Sequence, residues 1–208
     1  MNSKKQHIIF TCITCFVVLL SCTQKITDPN IILFQQELGE ENIAMIDLLV
    51  EEFEDHLESH YPKLNTKEAY TQFLKDISDQ DTSNDSLLIT YQSKASRENY
   101  RKSALYKDIY IKEPYHQKIE GLVELNQPPP DKNNPINEPD SIWRVNNIGK
   151  YMRALFAIEG DSLVQTYFRS RESSGLMSTN RFAKGIQYYK PDFDNYIHKR
   201  IVVIENSL

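Results

Sequence analysis

Apolar side chains recur at three- and four-residue intervals over most of the chain, the spacing of amphipathic helices. Ile43, Ile46, Val50, Phe53 and Leu57, with Leu64 beyond them, form one stripe along the helical region 31–61. Gly39 separates a shorter piece, Ile31–Leu38, from the longer helix, and Pro62 ends that helix. Asn65 or Thr66 caps the next one, whose inner face is Tyr70, Phe73, Leu74 and Ile77. A polar break follows over Ser78–Ser86. Leu88, Tyr91, Ala95, Leu105 and Ile109 then fit one or two helices, while the alternation of Ile109 and Ile111 fits a short strand over Asp108–Lys112. Pro114 suits the first turn of a helix carrying Tyr115, Ile119, Leu122 and Val123.

Periodicity stops at residues 126–141. Pro128, Pro129, Pro130, Pro135 and Pro139 exclude a regular helix or a central strand there, so the segment is a long Pro-rich loop. Beyond it the pattern predicts four helices. The first spans Ser141–Glu159, with Val145, Ile148, Met152, Leu155 and Phe156 inward and Gly160 closing it. Asp161 caps the second, which carries Val164, Tyr167 and Phe168 and ends at Gly175. The third starts near Ser178 and uses Phe182, Ile186 and Tyr189. The fourth follows Pro191 with Phe193, Ile197, Ile201 and Ile204, although the β-branched run Ile201–Ile204 also fits a terminal strand. The expected fold is mainly α: an irregular multi-helix bundle with a long Pro-rich loop and room for a minor β element.

The first residues follow another rule. Lys4 and Lys5 precede a 13-residue apolar run, Ile8–Leu20. That run is shorter than the roughly 20 residues of a membrane span and matches the apolar core of a secretory signal. It ends in Leu19-Leu20-Ser21-Cys22. This arrangement resembles the lipobox of bacterial lipoproteins, with a branched apolar residue, a small residue before the cut and then cysteine. The resemblance implies a signal peptide over 1–21, with the Cys22 thiol carrying a diacylglyceryl thioether and further acyl chains. Cys12 and Cys15 would leave with the signal. Thr23, rather than Asp, follows Cys22, which resembles the sorting pattern for the outer membrane, facing the periplasm. Residues 22–30 then form a short lipidated tether.

Charge divides what remains. Residues 22–85 hold 4 basic and 15 acidic side chains, and residues 143–208 hold 10 and 6. The chain divides into an acidic helical region (31–125), the Pro-rich loop (126–141) and a C-terminal helical region (142–208), with 31–208 read as one domain. The formal net charge of −5 argues against a nucleic-acid partner, which would need a basic face.

Three constellations carry candidate chemistry. Glu52, His56 and His60 sit at i, i+4 and i+8, one helix face, where two histidines and a carboxylate suit a divalent metal ion. The metalloprotease pattern H-E-x-x-H is absent, because Leu57 follows His56. Arg169, Arg171 and Arg181 flank a predicted inter-helix turn and suit an anion. Trp143, Tyr151, Tyr167, Tyr188, Tyr189 and Tyr196 crowd the last third and suit either packing or an aromatic groove. No motif marks a nucleophile, and no catalytic residue is assigned. The sequence therefore points to a lipid-anchored envelope protein acting as a non-enzymatic binding or structural module, with membrane contact through Cys22, an envelope protein as partner and no cofactor. The alternatives are a metal-dependent hydrolase centred on His56 and His60 and a solute-binding accessory lipoprotein with an aromatic groove.

Overall fold

The computed structural model describes residues 28–79, 92–114 and 141–207. Cys22, the signal segment, residues 22–27 of the tether and all but the last residue of the Pro-rich loop lie outside the described residues, as does the expected helix over Tyr115–Val123. The chain is mainly α-helical with a minor β element. Among the described residues there are nine helices and one two-stranded antiparallel sheet. No helix among them is long and apolar enough to cross a membrane.

The first three helices follow the apolar stripe. Helix α1 spans Pro29–Leu38, α2 Glu40–His60 and α3 Thr66–Asp79. Asp28 caps α1 through Asn30 N. Gly39, at φ +80°, makes the break between α1 and α2 in a backbone conformation that side chains disfavour. Asn65 and Glu68 exchange side-chain and backbone hydrogen bonds of 3.0 and 3.1 Å at the start of α3, a reciprocal cap. The buried face of α2 is Asn42, Ile46, Leu49, Phe53 and Leu57. It is rotated slightly from the expected stripe, with Leu49 replacing Val50 and Leu64 exposed.

The middle of the chain settles the ambiguity at residues 94–114. Helix α4 spans Lys94–Lys102, α5 Ala104–Ile109 and strand β1 Tyr110–Pro114. Ser103 caps α5 by accepting from Tyr106 N, and its hydroxyl donates to Tyr100 O, so the chain turns between α4 and α5. Ala95 is exposed, while Ser96 faces inward. Pro114 ends the strand.

Strand β2, Ser141–Val145, pairs antiparallel with β1, matching Tyr110 with Val145 and Lys112 with Trp143. The long helix expected over Ser141–Glu159 is therefore corrected to a strand, a turn and a short helix, α6, Lys150–Phe156. Ile148 and Phe156, expected inward, are 81% and 66% exposed, and Tyr151 takes the buried position. The cause lies outside the segment. Asp108 of α5 accepts from Lys150 N and Tyr151 N at 2.9 and 2.8 Å, capping α6 from a distant part of the chain. A Cβ at Gly149 would lie 2.4 Å from the Asp108 carbonyl oxygen, so this approach needs glycine.

Helices α7 (Ser162–Ser174), α8 (Thr179–Tyr188) and α9 (Tyr196–Glu205) complete the fold. Ile201, Val202, Val203 and Ile204 of α9 are all fully buried. A helical turn buried on every side is a central one. Burial among α2, α7 and their neighbours overrides the strand preference of this β-branched run. One contiguous core runs from Phe34 to Ile204. The acidic and basic ends of the chain meet across it. Lys199 pairs with Glu54 at 2.7 Å, Arg200 with Asp47, Arg153 with Glu37, and Lys67 with Asp192 and Asp194.

Candidate functional site

The bundle is sealed by a buried charged centre beneath α7. Arg171 of α7 is fully buried. Its Nη2 lies 2.8 Å from Glu205 Oε1 on α9 and donates to Tyr110 Oη on β1 at 3.2 Å, and its Nη1 donates to Gly175 O at 3.3 Å. Tyr167 donates its hydroxyl to the same Glu205 oxygen, and Tyr151 Oη lies 3.4 Å from Tyr167 Oη. Burial, reinforced by the Glu205 carboxylate, pushes the Tyr110 and Tyr167 hydroxyls far above their ordinary range, and burial does the same to Tyr151. All three stay protonated; Tyr167 donates to Glu205, while Tyr110 accepts from Arg171. Burial also pushes the Glu205 carboxyl up, opposed by Arg171 and by the Tyr167 hydroxyl. The guanidinium keeps its charge at any pH the fold survives.

Tyr167 also forms the floor of a groove between α7 and α8. The groove is lined by Leu163, Tyr167, Met177, Phe182, Ile186 and Tyr189, with Thr166, Ser170 and Arg181 as its polar positions, and has a cavity volume of about 70 Å³. Its origin is in the packing. Helix α8 lies against α3, where Asn180 Nδ2 donates to Ile77 O and Ser78 O and Gln187 Nε2 donates to Leu74 O. That leaves the side of α8 facing α7 partly uncovered.

The predicted anion cluster is divided by this arrangement. Arg171 points into the core as the partner of Glu205, Arg181 stands at the groove, and Arg169 is exposed. Arg171 shares the face of Val164, Tyr167 and Phe168 at helical spacing, so strict periodicity places it inward. Periodicity alone does not mark Glu205 or Tyr110 as site residues. The signal for both was a polar group set within an apolar run, Ile201–Asn206 and Ile109–Ile111.

The histidine pair does come together. The His56 and His60 rings lie 4.0 Å apart, and His60 Nδ1 is 3.2 Å from His56 O. Burial, then the neighbouring His60, lowers the His56 pKa to about 4. Glu52, expected as a third ligand, instead accepts a hydrogen bond from Ser96 Oγ. Among the described residues no three His, Cys, Asp or Glu side chains are placed to hold a metal ion. A second imidazole, His198, is fixed on both sides. Its Nδ1 accepts from Asp192 N at 3.0 Å, so Nε2 carries the proton and donates to Asp161 Oδ2 at 2.9 Å. The other Asp161 oxygen caps α7 through Leu163 N and Val164 N. Asp161 thus joins the starts of α7 and α9.

The aromatic crowd divides as well. Tyr151 and Tyr167 are core, Tyr189 lines the groove, Tyr188 and Trp143 are exposed, and Tyr196 lies under the Arg200 guanidinium. No family model, curated protein or solved structure matches the chain.

Proposed function

We propose that this is a lipid-anchored cell-envelope protein, held through Cys22 on the periplasmic side of the outer membrane, that acts as a non-enzymatic module binding another envelope protein. The observation that carries the binding half is the apolar α7–α8 groove. Its walls are Leu163, Met177, Phe182 and Ile186, with one cation, Arg181, beside them. Such a lining suits an apolar segment of a partner with an acidic or polar group next to it. The anchor half rests on the basic start, the short apolar run and Leu19-Leu20-Ser21-Cys22.

Each half has its own test. Cells expressing the full chain are fed labelled palmitate. The chain incorporates label and Cys22→Ser does not; equal labelling of both rejects the anchor. Cross-linking in native membranes followed by affinity recovery tests the groove. Gly185 also lines the groove, and a Cβ there meets nothing within 4 Å, so Gly185→Trp places an indole at the groove. Partner recovery falls at least tenfold in that variant. Recovery of no protein above a lipid-only control, or equal recovery from both chains, rejects the binding half.

A further inference from the structure

Helices α1 and α6 pack against each other with opposite chain directions. Asn30 Nδ2 donates to Glu159 O just beyond the end of α6, and Glu37, about two turns on in α1, pairs with Arg153 of α6 at 2.5 Å. This register brings Leu33 level with Phe156 along the helix pair. Both are uncovered: Leu33 is 44% exposed, Phe156 is 66% exposed, and Ile32 beside them is 38% exposed. Phe156 leans on Phe168 of α7, with ring centroids 5.4 Å apart. Glu37, one turn beyond Leu33, is neutralised by Arg153, while Asp28 and Glu159 stand exposed at the edge of this face. The result is an apolar patch on the outer side of the first helix.

The position of the patch in the chain identifies what covers it. Six residues separate Cys22 from Pro29, the first residue of α1, and even fully extended they reach only about 20–25 Å. Helix α1 itself is about 15 Å long. An acyl chain on Cys22 therefore holds α1, and the patch with it, within reach of the bilayer surface. Phenylalanine, leucine and isoleucine with an arginine at their edge are the side chains that settle into the headgroup–acyl boundary, the arginine extending its head toward water. We infer that the face formed by Ile32, Leu33 and Phe156 seats on the lipid bilayer, giving the anchored domain one fixed orientation. This rests on the anchor proposed above and adds an orienting contact to it.

The test separates the two. In a chain starting at Cys22 that cysteine is the only thiol, so it is coupled directly to a maleimide lipid in phosphatidylethanolamine–phosphatidylglycerol vesicles. The anchor is then set by chemistry, whatever the cell attaches. Phe156→Trp in a Trp143→Phe background is the reporter, and lipids brominated near the headgroup are the quencher. Tyr188→Trp is the comparison, because Tyr188 is 81% exposed on α8, whose packing partner is α3. The indole at position 156 loses at least half its emission and the one at 188 less than a tenth. Adding Leu33→Glu abolishes the loss at 156, with far-UV circular dichroism unchanged. Equal quenching at both positions, quenching at neither, or quenching that survives Leu33→Glu overturns the inference. Self-association in solution that Leu33→Glu abolishes would assign the patch to a second copy and overturn it as well.

Discussion

Substituting Glu205→Leu leaves the Arg171 guanidinium fully buried with no counter-charge. Arg171 has no exposed surface, and the Glu205 side chain has 1%. Solvent therefore cannot replace the lost carboxylate. Breaking one side of a buried ion pair costs about 3–5 kcal/mol. Tyr167 loses the acceptor of its hydroxyl in the same step, and an unsatisfied buried donor costs about 1–3 kcal/mol more, reduced where Tyr151 Oη can take the bond. At about 2–4 °C per kcal/mol for a chain of this size, the melting temperature falls by on the order of 10 °C. The triple variant Arg171→Met, Glu205→Leu, Tyr167→Phe removes both charges and the Tyr167 hydroxyl together, though the Tyr110 and Tyr151 hydroxyls lose their partners. It recovers part of the loss, because an apolar replacement of a buried pair is often neutral or better. Urea unfolding of each variant at pH 7, followed by far-UV circular dichroism, gives the free energies. Loss in the triple variant equal to the sum of the single losses would refute the reasoning, since it would mean that the three groups do not depend on one another.

Three further outcomes follow from particular contacts. Gly149→Ala drives a Cβ against the Asp108 carbonyl and destabilises by about 1–3 kcal/mol, read as a shift of the urea midpoint with an unchanged slope; a neutral result would contradict the close approach. Gly185→Ala, in the interior of α8 with open space around its Cβ, stabilises by about 0.5–1 kcal/mol, and a lowered melting temperature would count against that helix. His56 titrates near 4 in the folded chain against 6.5 unfolded. The unfolded chain thus takes up the proton first, and stability present above pH 6.5 is lost as pH falls toward 4. Solvent screening holds this to on the order of 1 kcal/mol or less. His56→Gln flattens the acid limb, and a His56 ring resonance titrating above pH 6 by NMR would refute the lowered value.

Much of the fold was legible because it rests on local rules. The Gly39 break, the Asn65 cap, the Asp161 cap and the faces of α3, α7 and α8 all depend on residues within a turn or two of each other. The failures share one cause. Residues 141–159 carry a helical pattern, yet β1 draws Ser141–Val145 into a sheet and Asp108 decides where α6 begins. Ile201–Ile204 carry a strand pattern, yet the surrounding helices bury that segment on every side.

The same division governs the sites. The sequence by itself determined the mainly helical class, the spacing that brings His56 and His60 to one face, and the lipobox-like run ending at Cys22, because each is a property of adjacent residues or of one helix. Only the tertiary structure decided that Arg171 is the buried partner of Glu205 and Tyr110, sequence neighbours of none of its turn. It also decided that α8 leans on α3 and so opens the groove, and that Leu33 and Phe156 stay uncovered on two helices that pack together. These are distances between elements far apart in the chain. They follow from how the whole apolar surface is buried at once, which no local pattern specifies.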